Sequence, residues 1–183
     1  MQGLIGDSCV NCRGRNYYLH SIVSPFQSRG VLREMLHRFK YGRELYLRKI
    51  LGRLIFEGMR DNRICGVTFD CIVPVPLHPL KKREREFNQA EEISRVLSVL
   101  TGIPTRNFLK RERYTSTQTR FDRSGRMRNL QGAFKVSKNR GVNGKTILLL
   151  DDVVTTASTL DECAHTLLDS DAEAVYGITV ARG

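Results

Sequence analysis

The spacing of apolar residues changes along the chain, and the changes predict alternating helices and strands. Apolar residues recur at helical spacing in four stretches, at 31–39, 47–55, 88–100 and 160–168. Short apolar runs, which are typical of strands buried on both faces, occur at 69–75, 145–150 and 174–181, with weaker strand signals at 105–109 and 134–136. Strands that alternate with helices predict an α/β fold with a central parallel sheet flanked by helices.

The apolar run at 147–150 is followed by a segment that can bind a phosphate. Two carboxylates, Asp151 and Asp152, come directly after it, and a loop of small, mostly hydroxyl-bearing residues then leads into the last helix. The loop consists of Thr155, Thr156, Ala157, Ser158 and Thr159. Ligands of open α/β sheets bind beyond the carboxyl ends of the strands, and a helix N-terminus offers backbone N–H groups and a positive dipole end. The loop is therefore predicted to bind a phosphate monoester.

The two adjacent carboxylates need a different partner, because they repel anions. They can accept hydrogen bonds from the vicinal hydroxyls of a ribose, or they can bind a divalent cation. A sugar 5-phosphate would satisfy both the carboxylates and the loop. The alternative is a capping box, in which Ser158 and Asp161 close the first turn of the helix. That alternative accounts for neither Asp151 nor Asp152, since carboxylates at the end of an apolar strand are costly to bury without partners.

The chain of 183 residues has 30 Lys and Arg against 19 Asp and Glu, a formal net charge of +11. Basic residues are dense between Lys81 and Arg128, whereas the C-terminal end is acidic. Three interpretations stay open: a solvated basic surface, a site for phosphate-rich small ligands, and a surface for nucleic acid. No apolar run approaches the roughly 20 residues that span a bilayer, and the first residues lack the features of an export signal. We expect a cytoplasmic protein with no membrane insertion.

Five cysteines are present, and the absence of an export signal predicts that they are reduced. Cys9 and Cys12 form a C-x-x-C pair that either supplies half of a four-ligand zinc site or binds no metal. Cys71 and Cys163 lie in apolar stretches, so we expect them to be small buried hydrophobic residues.

The sequence ILLLDDVVTTAST at 147–159 resembles the phosphoribosyl pyrophosphate signature of type I phosphoribosyltransferases. It departs from that signature at Ala157, where glycine is usual. If the loop needs a positive φ there, alanine costs roughly 1 kcal/mol or more. CIVPVPLHPL from Cys71 and FNQA from Phe87 resemble the middle signature of the ComF competence-protein family, and the order of all these motifs covers residues 30–183.

The resemblance implies a type I phosphoribosyltransferase fold with a small hood at 30–183, after an N-terminal segment at 1–29 that resembles part of a zinc ribbon. It implies phosphoribosyl pyrophosphate as the ligand, Mg²⁺ as the cofactor, and a role in competence and DNA uptake. Asp151 and Asp152 would hold the ribose hydroxyls and act in catalysis, and residues 155–159 would anchor the 5-phosphate. The residues implied for pyrophosphate are Val75, Pro76, Leu77 and Arg113.

Two functions stay open at this point. The protein is a phosphoribosyltransferase with an unidentified acceptor, or it binds phosphoribosyl pyrophosphate without turnover and handles single-stranded DNA during natural transformation. The second function would use arginines in the stretch implied to be a flexible loop, with the DNA-uptake machinery as partner. These arginines are Arg120, Arg123 and Arg126. Either function is compatible with an oligomer.

Overall fold

The computed structural model describes residues 17–113, 130–137 and 141–183. The helices in these ranges are α1 (Gly30–Tyr41), α2 (Arg48–Gly58), α3 (Pro79–Arg85), α4 (Gln89–Thr101) and α5 (Ser158–Leu168). The strands are β1 (Ile22–Val23), β2 (Phe26–Gln27), β3 (Cys71–Pro74), β4 (Leu109–Arg111), β5 (Phe134–Val136), β6 (Thr146–Val154) and β7 (Ala174–Arg182). None of the helices described here is long and apolar enough to cross a membrane.

A parallel sheet forms the centre of the fold. β6 lies between β3 and β7, and β7 also pairs with both β1 and β2, which belong to the segment before residue 30. All these pairings are parallel, so the α/β class predicted from the alternating pattern is confirmed. β4 and β5 pair antiparallel in a separate two-stranded sheet.

Helices cover both faces of the sheet, and for this reason β6 is apolar at consecutive positions. Leu148 and Leu150 pack on the side of α1, α2 and α4, whereas Ile147 and Leu149 pack on the side of α5. Side chains alternate between the two faces of a strand, so a strand covered on both faces carries an unbroken apolar run. The carboxyl end of β6 therefore projects from the most buried part of the molecule.

Cys71 and Cys163 are both buried, as expected from the apolar stretches in which they lie. Burial raises the pKa of both thiols, and for Cys71 the pKa rises to about 11. Both side chains are therefore protonated at neutral pH and pack as small apolar groups.

Two predicted strand boundaries were wrong. β6 does not end at residue 150 but continues through the two carboxylates to Val154, because β7 stays paired with it as far as Arg182. β4 begins at Leu109, where its pairing with β5 starts, and of the predicted strand at 105–109 the first residue, Thr105, instead forms an isolated parallel bridge with Ile72 of β3.

Helix α3 is a further difference, since the four stretches with helical spacing do not include residues 79–85. Pro79 occupies the first turn, where its missing N–H costs nothing, and His78 Nδ1 accepts a hydrogen bond of 3.3 Å from the Leu80 N–H. No residue of this helix is buried. The helix therefore has no apolar face, and apolar spacing could not predict it.

Helix α2 packs against α4 at Gly52, where a side chain does not fit. A Cβ atom there would lie 2.5 Å from Val96 Cγ1 and 2.7 Å from Val96 Cβ. We expect Gly52→Ala to lower the free energy of unfolding by ~1–3 kcal/mol, because the overlap outweighs the intrinsic preference of alanine for helix. Urea unfolding measures the change, and a double-mutant cycle with Val96→Ala should show the two positions to be coupled. A Gly52→Ala protein more stable than the wild type would contradict this packing.

Candidate ligand site at the end of the central strand

The loop between β6 and α5 forms the wall of an open cavity. The cavity and the solvent-filled opening in front of it together occupy about 240 Å³, and the lining consists of Asp151 and residues 153–160. The five residues predicted to bind a phosphate are all in this lining, namely Thr155, Thr156, Ala157, Ser158 and Thr159. The cavity lies at the carboxyl end of the central strand, where ligands of open α/β sheets bind.

The first turn of α5 presents backbone amides without a capping side chain. Ala157 is the N-cap residue, and it makes no side-chain hydrogen bond to the helix. The Asp161 N–H donates to the Ala157 carbonyl at 2.9 Å, so the amides of residues 158–160 come before the first acceptor within the helix. The hydroxyl oxygens of Thr156 and Ser158 lie 3.0 Å apart in the same lining. Amides, hydroxyls and the positive end of the helix dipole together favour a phosphate group.

The alternative capping box is not formed. Ser158 is the first residue of α5 rather than its N-cap. Asp161 Oδ1 accepts a hydrogen bond of 2.7 Å from the Tyr18 amide instead. Burial raises the pKa of Asp161, although hydrogen bonds from the Tyr18 and Leu19 amides oppose the rise. Asp161 thus attaches the segment before β1 to α5 and leaves the helix start open.

Ala157 has a left-handed backbone conformation, with a φ of 61° and a ψ of −3°. Alanine is strained in this region by ~1–2 kcal/mol. We expect Ala157→Gly to raise the free energy of unfolding by ~0.5–1 kcal/mol, because the relief of strain exceeds the entropy that glycine gains in the unfolded chain. Urea unfolding measures the change. Ala157→Val should lower stability, since a β-branched residue is more strained still, and equal stability of the two variants would contradict the strain.

Asp151 and Asp152 lie on opposite faces of the sheet. Side chains alternate along β6, so Asp151 shares the face of Leu149 and lines the cavity, whereas Asp152 shares the face of Leu150. The Asp152 N–H donates to Asp151 Oδ1 at 2.8 Å. Burial, followed by the negative charge of Asp152, raises the pKa of Asp151. The two carboxylates therefore have different surroundings, and Asp151 is the one in the cavity wall.

Asp152 forms an ion pair with Lys40 of α1. Lys40 Nζ lies 2.9 Å from Asp152 Oδ2, and the two side chains are only 21% and 9% exposed. Burial alone would lower the pKa of Lys40, but the charges of Asp152 and Asp151 outweigh it and the pKa is raised. Sequence reasoning missed Lys40. The one available signal was its place directly after Phe39, which the helical spacing predicts to be buried.

Three further cations act on Lys40 or on Asp151. Lys81 and Arg85 come from α3, and Arg111 comes from β4. Burial, then the positive charges of Arg111 and Arg85, lowers the pKa of Lys81. The charges of Lys40 and Arg111 oppose the rise in the pKa of Asp151. These groups are thus close enough to act on one another, and an anion of high charge would relieve the repulsion among the cations.

Arg85 is held in one orientation by two neighbours. Its Nη1 donates to Gln89 Oε1 and its Nη2 donates to the Tyr41 hydroxyl, both at 3.1 Å. Its guanidinium carbon lies 5.0 Å from the centre of the Tyr41 ring. The Gln89 side chain thus orients Arg85.

The predicted pyrophosphate loop offers few amides. Pro76 has no N–H, and the Val75 N–H donates to the Leu150 carbonyl at 2.9 Å. Of the three residues predicted here, Leu77 is therefore the one whose amide can serve a ligand.

Asn88 connects this loop to the start of α4. Its Nδ2 donates to the Val75 carbonyl at 3.0 Å, and its Oδ1 accepts from the Ala90 N–H at 3.1 Å. The side chain is buried, so both its amide hydrogen-bonding groups are used for structure. Asn88 therefore caps α4 and has no amide group left for a ligand.

The remaining predicted residues lie further away or outside the described ranges. Arg113, implied for pyrophosphate, is exposed two residues after β4, and its Nη2 donates to the Gln131 carbonyl at 2.9 Å. The residues outside the described ranges are Cys9 and Cys12, implied for zinc, and Arg120, Arg123 and Arg126, implied for nucleic acid. Those roles stay predictions. Within 17–113, 130–137 and 141–183, no group of three or more His, Cys, Asp and Glu side chains could hold a metal ion.

The sequence is similar to two kinds of bacterial protein. It is 34% identical to "Competence protein F" of Haemophilus influenzae over 153 residues, which cover 81% of this chain and 66% of that protein. It is also 34% identical to "DNA utilization protein YhgH" of Escherichia coli K12 over 147 residues, which cover 79% of this chain and 64% of that protein. The chain thus spans slightly less than two thirds of the length of these relatives.

Solved structures resemble the chain at lower identity. A glutamine phosphoribosylpyrophosphate amidotransferase from B. subtilis is 19% identical over 72% of this chain and 25% of its own, with a TM-score of 0.47. A hypoxanthine phosphoribosyl transferase of Trypanosoma cruzi is 17% identical over 72% of this chain and 62% of its own, with a TM-score of 0.44. The family described as phosphoribosyl transferase domain matches residues 75–183, so the predicted type I fold is confirmed. The chain is thus a homologue of Competence protein F, and it belongs to the phosphoribosyl transferase domain family.

Proposed function

We propose that the protein binds phosphoribosyl pyrophosphate in this cavity and transfers the phosphoribosyl group to an acceptor. The observation that carries the proposal is the open N-terminus of α5 in a cavity whose wall also holds the Asp151 carboxylate. A phosphate needs hydrogen-bond donors, whereas ribose hydroxyls need acceptors. The cavity offers both kinds of group.

Different groups of the cavity contact the 5-phosphate and the anomeric carbon of the ribose. The 5-phosphate accepts hydrogen bonds from the amides of residues 158–160 and from the hydroxyls of Thr156 and Ser158. Asp151 accepts hydrogen bonds from the ribose hydroxyls. Its negative charge stabilises the positive charge that develops at the anomeric carbon when the bond to pyrophosphate breaks. Pyrophosphate leaves with the bonding electron pair, and the acceptor forms the new bond and loses a proton.

The cations near Lys40 and Asp151 suit the leaving group. Lys81, Arg85 and Arg111 would offset the charge of pyrophosphate, and Arg85 is already oriented by its neighbours. The Leu77 amide would contribute from the loop after β3. A leaving group whose charge is offset departs more readily, which lowers the barrier to transfer.

The residues that the structure describes do not form a resident magnesium site beside the carboxylates. Proteins usually hold Mg²⁺ by one or two carboxylates together with substrate phosphates and water. Asp152 is already engaged by Lys40, and the described residues contain no cluster of three metal-binding side chains. We therefore propose that Mg²⁺ enters as a complex with the diphosphate of the ligand.

Calorimetry with phosphoribosyl pyrophosphate and Mg²⁺ tests the binding part of the proposal. Incubation with the labelled compound and a panel of nucleobases and amines tests transfer. We expect saturable binding, and release of pyrophosphate that depends on the acceptor. A folded protein that binds neither phosphoribosyl pyrophosphate nor ribose 5-phosphate would contradict the proposal.

The names of the relatives favour a second candidate function. In this alternative the domain binds phosphoribosyl pyrophosphate without transfer and handles single-stranded DNA together with the DNA-uptake machinery. The basic stretch at 110–128 would supply the positive charge. Binding without pyrophosphate release, together with single-strand affinity that falls with salt and on Arg120→Ala/Arg126→Ala, would support it. Single-strand affinity that is absent at low salt would exclude it.

A further inference from the structure

Lys40 is held in place by both of its neighbours in the chain. Phe39 is fully buried in the core between the sheet and the helices on its face. The Tyr41 ring lies under the Arg85 guanidinium. The end of α1 is therefore fixed on two sides, and it delivers the Lys40 ammonium to Asp152 at 2.9 Å.

One ammonium acts on two carboxylates at this point. Lys40 bonds Asp152 directly, and its charge also acts on Asp151, whose Oδ1 accepts from the Asp152 N–H. Carboxylate oxygens are the ligands that hard divalent cations prefer, so an unpaired Asp152 beside Asp151 would attract one. Here the positive charge next to Asp152 is the Lys40 ammonium of α1 instead of a metal ion.

We propose that Lys40 is the resident counter-cation of Asp151 and Asp152, and that it keeps divalent cations off these carboxylates until a diphosphate brings one. Only the last clause rests on the proposed function. The exclusion of free metal follows from the residues of the chain alone.

Electrostatics supports the exclusion. A divalent cation would have to displace Lys40 or share Asp152 with it, and it would also meet the positive charges of Lys81 and Arg111. Without Lys40, the two carboxylates keep their mutual repulsion and lose their nearest positive charge. A free divalent cation would then relieve that repulsion.

Titration of the ligand-free protein with Mn²⁺, followed by the electron paramagnetic resonance signal of the free ion, tests the proposal. We expect the wild type to take up no stoichiometric Mn²⁺. Lys40→Met should gain one Mn²⁺ site that binds at least 10-fold more tightly than any residual binding by the wild type. Adding Asp152→Asn to Lys40→Met should remove the gained site. Lys49→Met is the matched control, because Lys49 is an exposed lysine of the next helix, and it should behave as the wild type.

Two outcomes would overturn the proposal: stoichiometric Mn²⁺ binding by the wild type that Asp152→Asn abolishes, or a folded Lys40→Met protein that takes up no more Mn²⁺ than the control. Circular dichroism establishes folding, and stoichiometric Mn²⁺ binding by the wild type would overturn the proposal even if Lys40→Met does not fold. Inorganic pyrophosphate added to the wild type should lower the free Mn²⁺ signal by more than the same pyrophosphate does without protein. If only the experiment with pyrophosphate fails, the proposed diphosphate site is contradicted. The titration with Mn²⁺ alone tests the role of Lys40.

Discussion

Thr159→Asp should abolish binding of phosphoribosyl pyrophosphate and of ribose 5-phosphate without destabilising the protein. Thr159 is the second residue of α5 and lines the cavity. An aspartate there would repel the phosphate, and two unit charges about 4 Å apart near a protein surface interact by roughly 4 kcal/mol. We therefore expect affinity to fall by ~100-fold or more. Calorimetry with each ligand measures the loss.

The same aspartate should stabilise the helix, since a negative charge in the first turn is worth ~0.3–1 kcal/mol. A variant that is more stable than the wild type but binds the ligands more weakly would show a local electrostatic effect, because unfolding would lower both stability and binding. Thr159→Asn is the control, because it removes the hydroxyl and adds no charge, so its loss of affinity should be much smaller. If Thr159→Asp binds both ligands as tightly as Thr159→Asn does, the phosphate does not bind at this helix start.

Asp151→Asn should lower the rate of phosphoribosyl transfer by ~100-fold or more, with a smaller loss of ligand affinity. An asparagine can still accept a hydrogen bond from a ribose hydroxyl, but it has no negative charge to offer the anomeric carbon. The comparison of kcat with KM measures this difference, because a group used chiefly in the transition state affects kcat. Asp169→Asn, which changes an exposed carboxylate just after α5, should leave both constants unchanged.

Loss of stability would not explain such a result. The pKa of Asp151 is higher in the folded protein than in the unfolded chain, so its ionisation opposes folding at neutral pH. Replacing it by a neutral amide should therefore leave stability unchanged or raise it near pH 7. A variant with full transfer activity would show that the charge of Asp151 takes no part in the reaction.

The sequence predicted the phosphate loop well, because strand, loop and helix follow one another within thirteen residues. Local signals sufficed there: hydroxyl side chains, the start of an apolar helical face, and an alanine where the resembling signature has glycine. The sequence predicted a cost at Ala157 only if the backbone φ there is positive, and the structure shows a positive φ.

The partners of the acidic pair could not be predicted in the same way. β6 is longer than its apolar run because β7 continues to pair with it, and that extra length places Asp151 and Asp152 on opposite faces. Lys40 lies more than one hundred residues earlier and reaches Asp152 only through the packing of α1. Such long-range contacts leave no periodic trace in a single sequence.

Asn88 has one more consequence. Its side chain holds the loop after β3 through one hydrogen bond and the first turn of α4 through another, so the two segments are tied together. The conformational entropy of ordering that loop is lost when the domain folds, not when a ligand arrives. Hydrogen exchange at the Ala90 amide of the ligand-free protein should therefore report how often the Asn88 side chain releases the first turn of α4.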